Sequence, residues 1–115
     1  MTCIIVCGGR DFTNFAAVCD ALDAIHAETP VKAVIHGNAR GADCLAGIWA
    51  RTRNVKCWPV PAQWKKFGKA AGPKRNQAML GMNPRLVVAF LGGRGTADMI
   101  RRAEKADIPV KRITP

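Results

Sequence analysis

Two apolar runs in this chain each stop abruptly at a pair of glycines followed by an arginine. Cys3-Ile4-Ile5-Val6-Cys7 runs into Gly8-Gly9-Arg10-Asp11, and Leu86-Val87-Val88-Ala89-Phe90-Leu91 runs into Gly92-Gly93-Arg94-Gly95-Thr96. Short continuous runs rich in Val and Ile are what parallel strands covered on both faces require. A strand that ends in glycines and opens a helix brings backbone N–H groups close to whatever lies at its end, and an anion is the natural occupant. The chain is therefore constrained toward alternating strands and helices around a parallel sheet.

Further strand candidates are Lys32–His36, Lys56–Val60 and Val110–Ile113, with Thr2–Cys7 as the first and Leu86–Leu91 as the fourth. Helical periodicity lies between them. Phe15, Val18, Leu22 and Ile25 recur at steps of three and four in a first helix from Asn14 to about Ala27, capped by Thr13 or Asn14. A second helix starts near Gly41, with Ala42, Leu45, Ala46 and Trp49 on one face. A third is expected after Pro73, with Ala78, Met79 and Met82 inward, and a fourth with Thr96 as its cap, burying Met99, Ile100 and Ala103. Pro61–Gly72 reads as an irregular loop over the site.

Right-handed crossovers then give a doubly wound, Rossmann-like α/β fold with a five-stranded parallel sheet in the order 3-2-1-4-5. Strands one and four become central neighbours, and the order reverses between them. Their C-terminal ends form the crevice where such sheets bind ligands, and both glycine turns end there. The 115 residues suit one domain, 1–115, with no linker or repeat.

The charge is unevenly placed. The net charge is +10, yet no acid occurs between Asp43 and Asp98, a stretch that carries ten lysines and arginines. Outside it, eight bases balance eight acids. Such a field attracts phosphate, on a nucleotide or on a single-stranded polynucleotide, although a merely solubilising surface would read the same way. No apolar run reaches the roughly 18–20 residues of a membrane span, and no secretory leader is legible, so a cytoplasmic protein is expected. The five cysteines form no C-x-x-C pair and read as buried reduced thiols. His26 and His36 are not spaced from any cysteine pair as zinc ligands would be, so no metal and no cofactor are expected.

Candidate chemistry clusters at the turns. Gly92, Gly93, Arg94, Gly95 and Thr96 have the parts of a phosphate cradle at a helix N-terminus, without a complete Walker or dinucleotide fingerprint. His36-Gly37-Asn38-Ala39-Arg40-Gly41-Ala42-Asp43 makes another close turn after strand two. Asp43 either complements the helix dipole or acts on a ribose hydroxyl or a proton. Lys74 and Arg75 supply a point charge and a bidentate fork for phosphate, beside Asn76. Trp58 or Trp64 can stack on a base or simply pack.

Taken together and in order, Gly8–Phe12, His36–Asp43, Pro61–Trp64, Ala71–Asn76 with Met79, and Gly92–Met99 resemble the YspA-like branch of the SLOG superfamily, over nearly the whole chain. The resemblance implies a Rossmann-like fold and a nucleotide-derived ligand in a bacterial or phage protein. It also implies kinship with the LOG phosphoribohydrolases, which cut cytokinin nucleotides, and with DNA-binding DprA proteins. Arg75 falls on the hydrolases' catalytic arginine, Asn76 on their lysine and Met79 on their methionine. Met99 stands where they carry a glutamate, with Asp98 one residue earlier. Binding by a sensor or sequestering module is therefore expected ahead of N-glycosidase turnover. The residues expected to bind are Gly8, Gly9, Arg10, Asp11, Gly37, Asn38, Arg40, Gly41, Trp64, Lys74, Arg75, Asn76, Gly92, Gly93, Arg94, Gly95 and Thr96. Arg75, Asp98 and Asp43 are the catalytic candidates should turnover occur. A homodimer is expected from the habits of SLOG relatives.

Overall fold

The alternation of side chains along the central strand divides the core in two. In strand β1 (Thr2–Cys7), Ile4 and Val6 point to one face and Ile5 and Cys7 to the other. The structure, a computed structural model, describes residues 2–114. The remaining elements are α1 (Phe15–Glu28), β2 (Val31–His36), α2 (Ala42–Thr52), β3 (Lys56–Pro59), α3 (Trp64–Phe67), a 3₁₀ turn at Gly68–Ala70, α4 (Ala71–Leu80), β4 (Leu86–Ala89), α5 (Arg94–Lys105) and β5 (Val110–Arg112).

The five strands form one sheet in the order β3-β2-β1-β4-β5, with every neighbouring pair parallel. Ile4, Val6, Val34 and Val88 pack under α1 and α2, which contribute Val18, Leu22, Ala46 and a fully buried Trp49. Ile5, Ile35, Val87 and Ala89 pack under α4 and α5, which contribute Met79, Met99 and Ala103. Burying such side chains stabilises a fold by about 1.5–3 kcal/mol each. Two polar groups tie α1 to α2: the Trp49 indole donates to Asp23 at 2.8 Å, and Arg53 reaches the same carboxylate through Nε and a terminal nitrogen at 3.0 and 2.8 Å. Asn14 caps α1, its side chain accepting from the Ala17 N–H at 3.0 Å.

Four local expectations are corrected. Pro61–Gly72 is largely helical, because α3 and the 3₁₀ turn lead directly into α4. That helix begins at Ala71, so Pro73 sits in its first turn, where a missing N–H costs nothing. Helix α5 begins at Arg94 with Gly93 as its cap, which puts Thr96 inside the first turn instead of at the cap. Of the cysteines, Cys7 is buried and Cys44 is exposed, with the other three in between, so the expectation of uniformly buried thiols does not hold. Among the described residues no helix is long and apolar enough to cross a membrane.

Candidate functional site

The C-terminal ends of β1, β2 and β4 open into one cavity of about 1170 Å³. The turn after β1 is held against the turn after β4 by the Gly9 N–H, which donates to the Leu91 carbonyl at 2.8 Å. It is held against α2 by the Ala42 N–H, which donates to the Gly9 carbonyl at 3.2 Å. Gly8 makes that approach sterically feasible: a Cβ there would lie 2.6 Å from the Ala42 Cβ. Strand pairing and the glycine turns thus bring sequence-distant segments to one rim.

Arg75, on α4, reaches across the cavity floor to the turn after β2. One terminal nitrogen donates to the Gly37 carbonyl at 2.5 Å, and Nε donates to the Asn76 side-chain oxygen at 3.2 Å. A Cβ on Gly37 would overlap this guanidinium, so the residue at 37 must be glycine for Arg75 to lie there. The guanidinium is half-buried, and burial lowers its affinity for the proton, with Arg10 adding to the effect and Asp43 opposing it. Among the described residues no carboxylate stands within ion-pair distance of it.

Asn76 is buried, and its amide nitrogen donates to the Gly95 carbonyl at 3.2 Å and to Asp98 at 3.0 Å. One side chain therefore fixes Arg75 relative to the first turn of α5. That turn is open. A Cβ at Gly93 or Gly95 would meet nothing within 4 Å, and the leading N–H groups of a helix have no partner within it. Thr96 is buried at the same place.

Two carboxylates line the cavity from buried positions, and they differ in what holds them. Asp98 is neutralised by its own helix: Arg101 donates at 2.6 Å and Arg102 Nε at 2.9 Å, besides the Asn76 amide. Asp43, at the start of α2, accepts the backbone N–H groups of Gly37 and Ala39 at 3.0 and 3.3 Å. Burial pushes its carboxyl up to about 6, against the lowering effect of those two bonds and of Arg75 and Arg10. Cys7, which also lines the cavity, is pushed up to about 12, by burial and by the Asp43 charge, and is a poor nucleophile.

Of the expected binding residues, Gly8, Gly9, Arg10, Asp11, Gly37, Trp64, Arg75, Asn76, Gly92, Gly93, Arg94, Gly95 and Thr96 line the cavity. Asn38 and Arg40 line an adjoining one of about 400 Å³. Gly41 and Lys74 line neither: Gly41 caps α2, and the Lys74 ammonium lies over the Phe67 ring, 4.9 Å from its centroid. Met99 is fully buried in the core and lines neither of these cavities. Sequence reasoning missed Lys69 and Arg101, both of which line the main cavity. Arg101 was findable, since it lies three residues after Asp98 on one helix face.

One further pairing was not legible. His36 Nε2 lies 3.1 Å from Cys57 Sγ across neighbouring strands. His36 Nδ1 accepts the Asn38 N–H at 2.9 Å, so the ring proton sits on Nε2 and is donated to sulfur. Burial, with the charges of Arg51 and Arg75, lowers the histidine's affinity for a second proton, and burial raises the Cys57 thiol. The pair is a structural contact, since a histidine already protonated toward sulfur cannot take the thiol proton.

Residues 2–67 match the family described as YspA, cpYpsA-related SLOG. The chain is similar to the Gene 61 protein of Mycobacterium phage D29, 36% identical over 115 residues that cover 93% of this chain and 92% of the phage protein. A solved phosphoribosylglycinamide formyltransferase (purN) of Coxiella burnetii, in complex with CHES, overlays on 81% of this chain with 17% identity and a TM-score of 0.48. The chain spans 42% of that enzyme's length. By the matched segment and the phage relative, on a sheet whose strand order is that of a doubly wound fold, the chain belongs to the YspA, cpYpsA-related SLOG family.

Proposed function

We propose that the cleft binds a nucleotide-derived ligand by its phosphate, as a sensor or sequestering module. The observation that carries this reading is the unpaired, half-buried guanidinium of Arg75, tied through Asn76 to the open first turn of α5. A cation withdrawn from water without a carboxylate is costly unless an anion completes it. The N–H groups at a helix start favour the same anion. Glycines at 93 and 95 leave room for phosphate oxygens to reach the backbone. The test is calorimetric titration with a panel of nucleoside 5′-monophosphates, run on the parent chain and on Arg75→Ala. Saturable binding that the variant weakens supports the reading. Equal affinity in both removes Arg75 from it.

A second reading, N-glycosidase action on the bound nucleotide, is favoured by one observation. Asp43 is a buried carboxyl lining the cavity, and burial pushes it up to about 6, toward the range a group exchanging protons with substrate needs. Against it, Met99 is sealed in the core, and Asp98 is already held by two arginines and an amide. Chromatography of each nucleotide after incubation separates the two: intact nucleotide supports binding alone, whereas free base that disappears with Asp43→Asn supports cleavage.

A further inference from the structure

The 400 Å³ cavity beside the main cleft is lined by three guanidiniums, Arg10, Arg40 and Arg75, and by no acid. Its wall is shared. Arg10, Arg75 and Trp64 line both cavities, so the two are compartments of one cleft with Trp64 at the partition. The Arg10 guanidinium lies over the Trp64 ring, 5.8 Å from its centroid, which fixes both side chains at that boundary. Trp64 is nevertheless 48% exposed, an unusual position for a tryptophan that only packs. Arg40 lines the smaller compartment and not the main one, and its one ionic partner among the described residues, Asp11 at 3.3 Å, is itself almost fully exposed. Such a surface pair is weak and leaves the guanidinium available.

The volumes point the same way. Small-molecule sites span about 300–1,000 Å³. The main cavity alone exceeds that range, and the second adds a separate cationic end. A nucleoside monophosphate seated on α5 has one phosphate and leaves this end unanswered.

Resting on the phosphate-binding reading of the cleft, we propose that the smaller cavity is a second anion subsite and that the ligand is a phosphodiester-linked dinucleotide. Its 5′-phosphate lies at the start of α5 beside Arg75. Its internucleotide phosphate crosses the partition toward Arg10 and Arg40, with the second nucleoside along Trp64.

The experiment compares, for each of the four ribonucleotide bases, the 5′-mononucleotide with the 5′-phosphorylated homodinucleotide by calorimetry. It uses the parent chain and Arg40→Ala, which removes an exposed side chain and is checked for native circular dichroism. For at least one base the dinucleotide is expected to bind the parent chain about tenfold or more tightly than the mononucleotide, the gain of one charge-assisted contact. Arg40→Ala is expected to abolish that gain, costing the dinucleotide more affinity than the mononucleotide. Equal affinities on the parent chain, or a gain that survives Arg40→Ala, overturn the second subsite while the phosphate-binding cleft stands. No binding by any mononucleotide or dinucleotide overturns both.

Discussion

Arg75 and Asp43 face each other across the turn after β2, and each is held by Gly37. Arg75 takes the Gly37 carbonyl and Asp43 takes its N–H. Two outcomes follow at this scale. Gly37→Ala puts a methyl group where the guanidinium lies, so Arg75 must move. Nucleotide affinity is expected to fall by about 1.5–3 kcal/mol, the worth of a charge-assisted bond, while the variant still folds. Calorimetry beside a thermal melt separates the two effects. The second outcome concerns pH. Asp43 titrates near 6 when folded, against an ordinary value of 3.8. Below about pH 4 both folded and unfolded chains carry this proton. Between about 4 and 6 the folded chain alone retains it, so stability falls as pH rises through that window, by up to about 3 kcal/mol. Asp43→Asn can still accept the Gly37 and Ala39 N–H groups. It is expected to flatten this part of the melting-temperature profile and to be the more stable protein at pH 7.5. Identical profiles for the two proteins would contradict the assignment.

At the scale of elements, the first turn of α5 carries the sharpest distinction between fold and function. Gly95 is helical and has open space where a Cβ would go, so the fold has no evident use for glycine there. Gly95→Ala is expected to stabilise the chain by up to about 1 kcal/mol through helix propensity. The same methyl group would stand in the path of a phosphate and weaken nucleotide binding. A melt and a titration of one variant therefore move in opposite directions. Unchanged binding would show that phosphate does not lie on this turn. The elements themselves were legible where residues spoke strongly. The Val- and Ile-rich runs at β1, β2 and β4, and the three-and-four spacing of Val18, Leu22 and Ile25, located strands and helix closely. Helix starts were less legible. Thr96 looks like a cap, but the helix starts at Arg94 with Gly93 in that place, three residues sooner. Trp64-Lys65-Lys66-Phe67 forms one short turn with no buried face, too little periodicity to register as a helix. In the site, Gly37 and Arg75 could each be named from the sequence. Their contact across 38 positions, and the role of Asn76 in joining Arg75 to Gly95, depend on how α4 lies against the sheet.

Over the whole molecule, the net charge of +10 brings phosphate to the surface and says little about how many phosphates are held. Salt dependence does. If the cleft holds one nucleotide or dinucleotide, log K should fall with log salt at a slope set by one or two phosphates. A single strand of eight or more nucleotides tracked along the basic middle of the chain would give about −0.7 for each phosphate contacted. A steep slope with long oligonucleotides and no binding of short ones would favour a DprA-like strand binder. The most direct test of the phosphate-binding cleft is an amide NMR titration of the ¹⁵N-labelled chain with nucleoside 5′-monophosphates. The largest shifts are expected at Gly93, Arg94, Gly95 and Thr96, with Gly37 and Gly9 following on the opposite rim. Shifts confined to residues outside this cleft, or none at millimolar ligand, would contradict it.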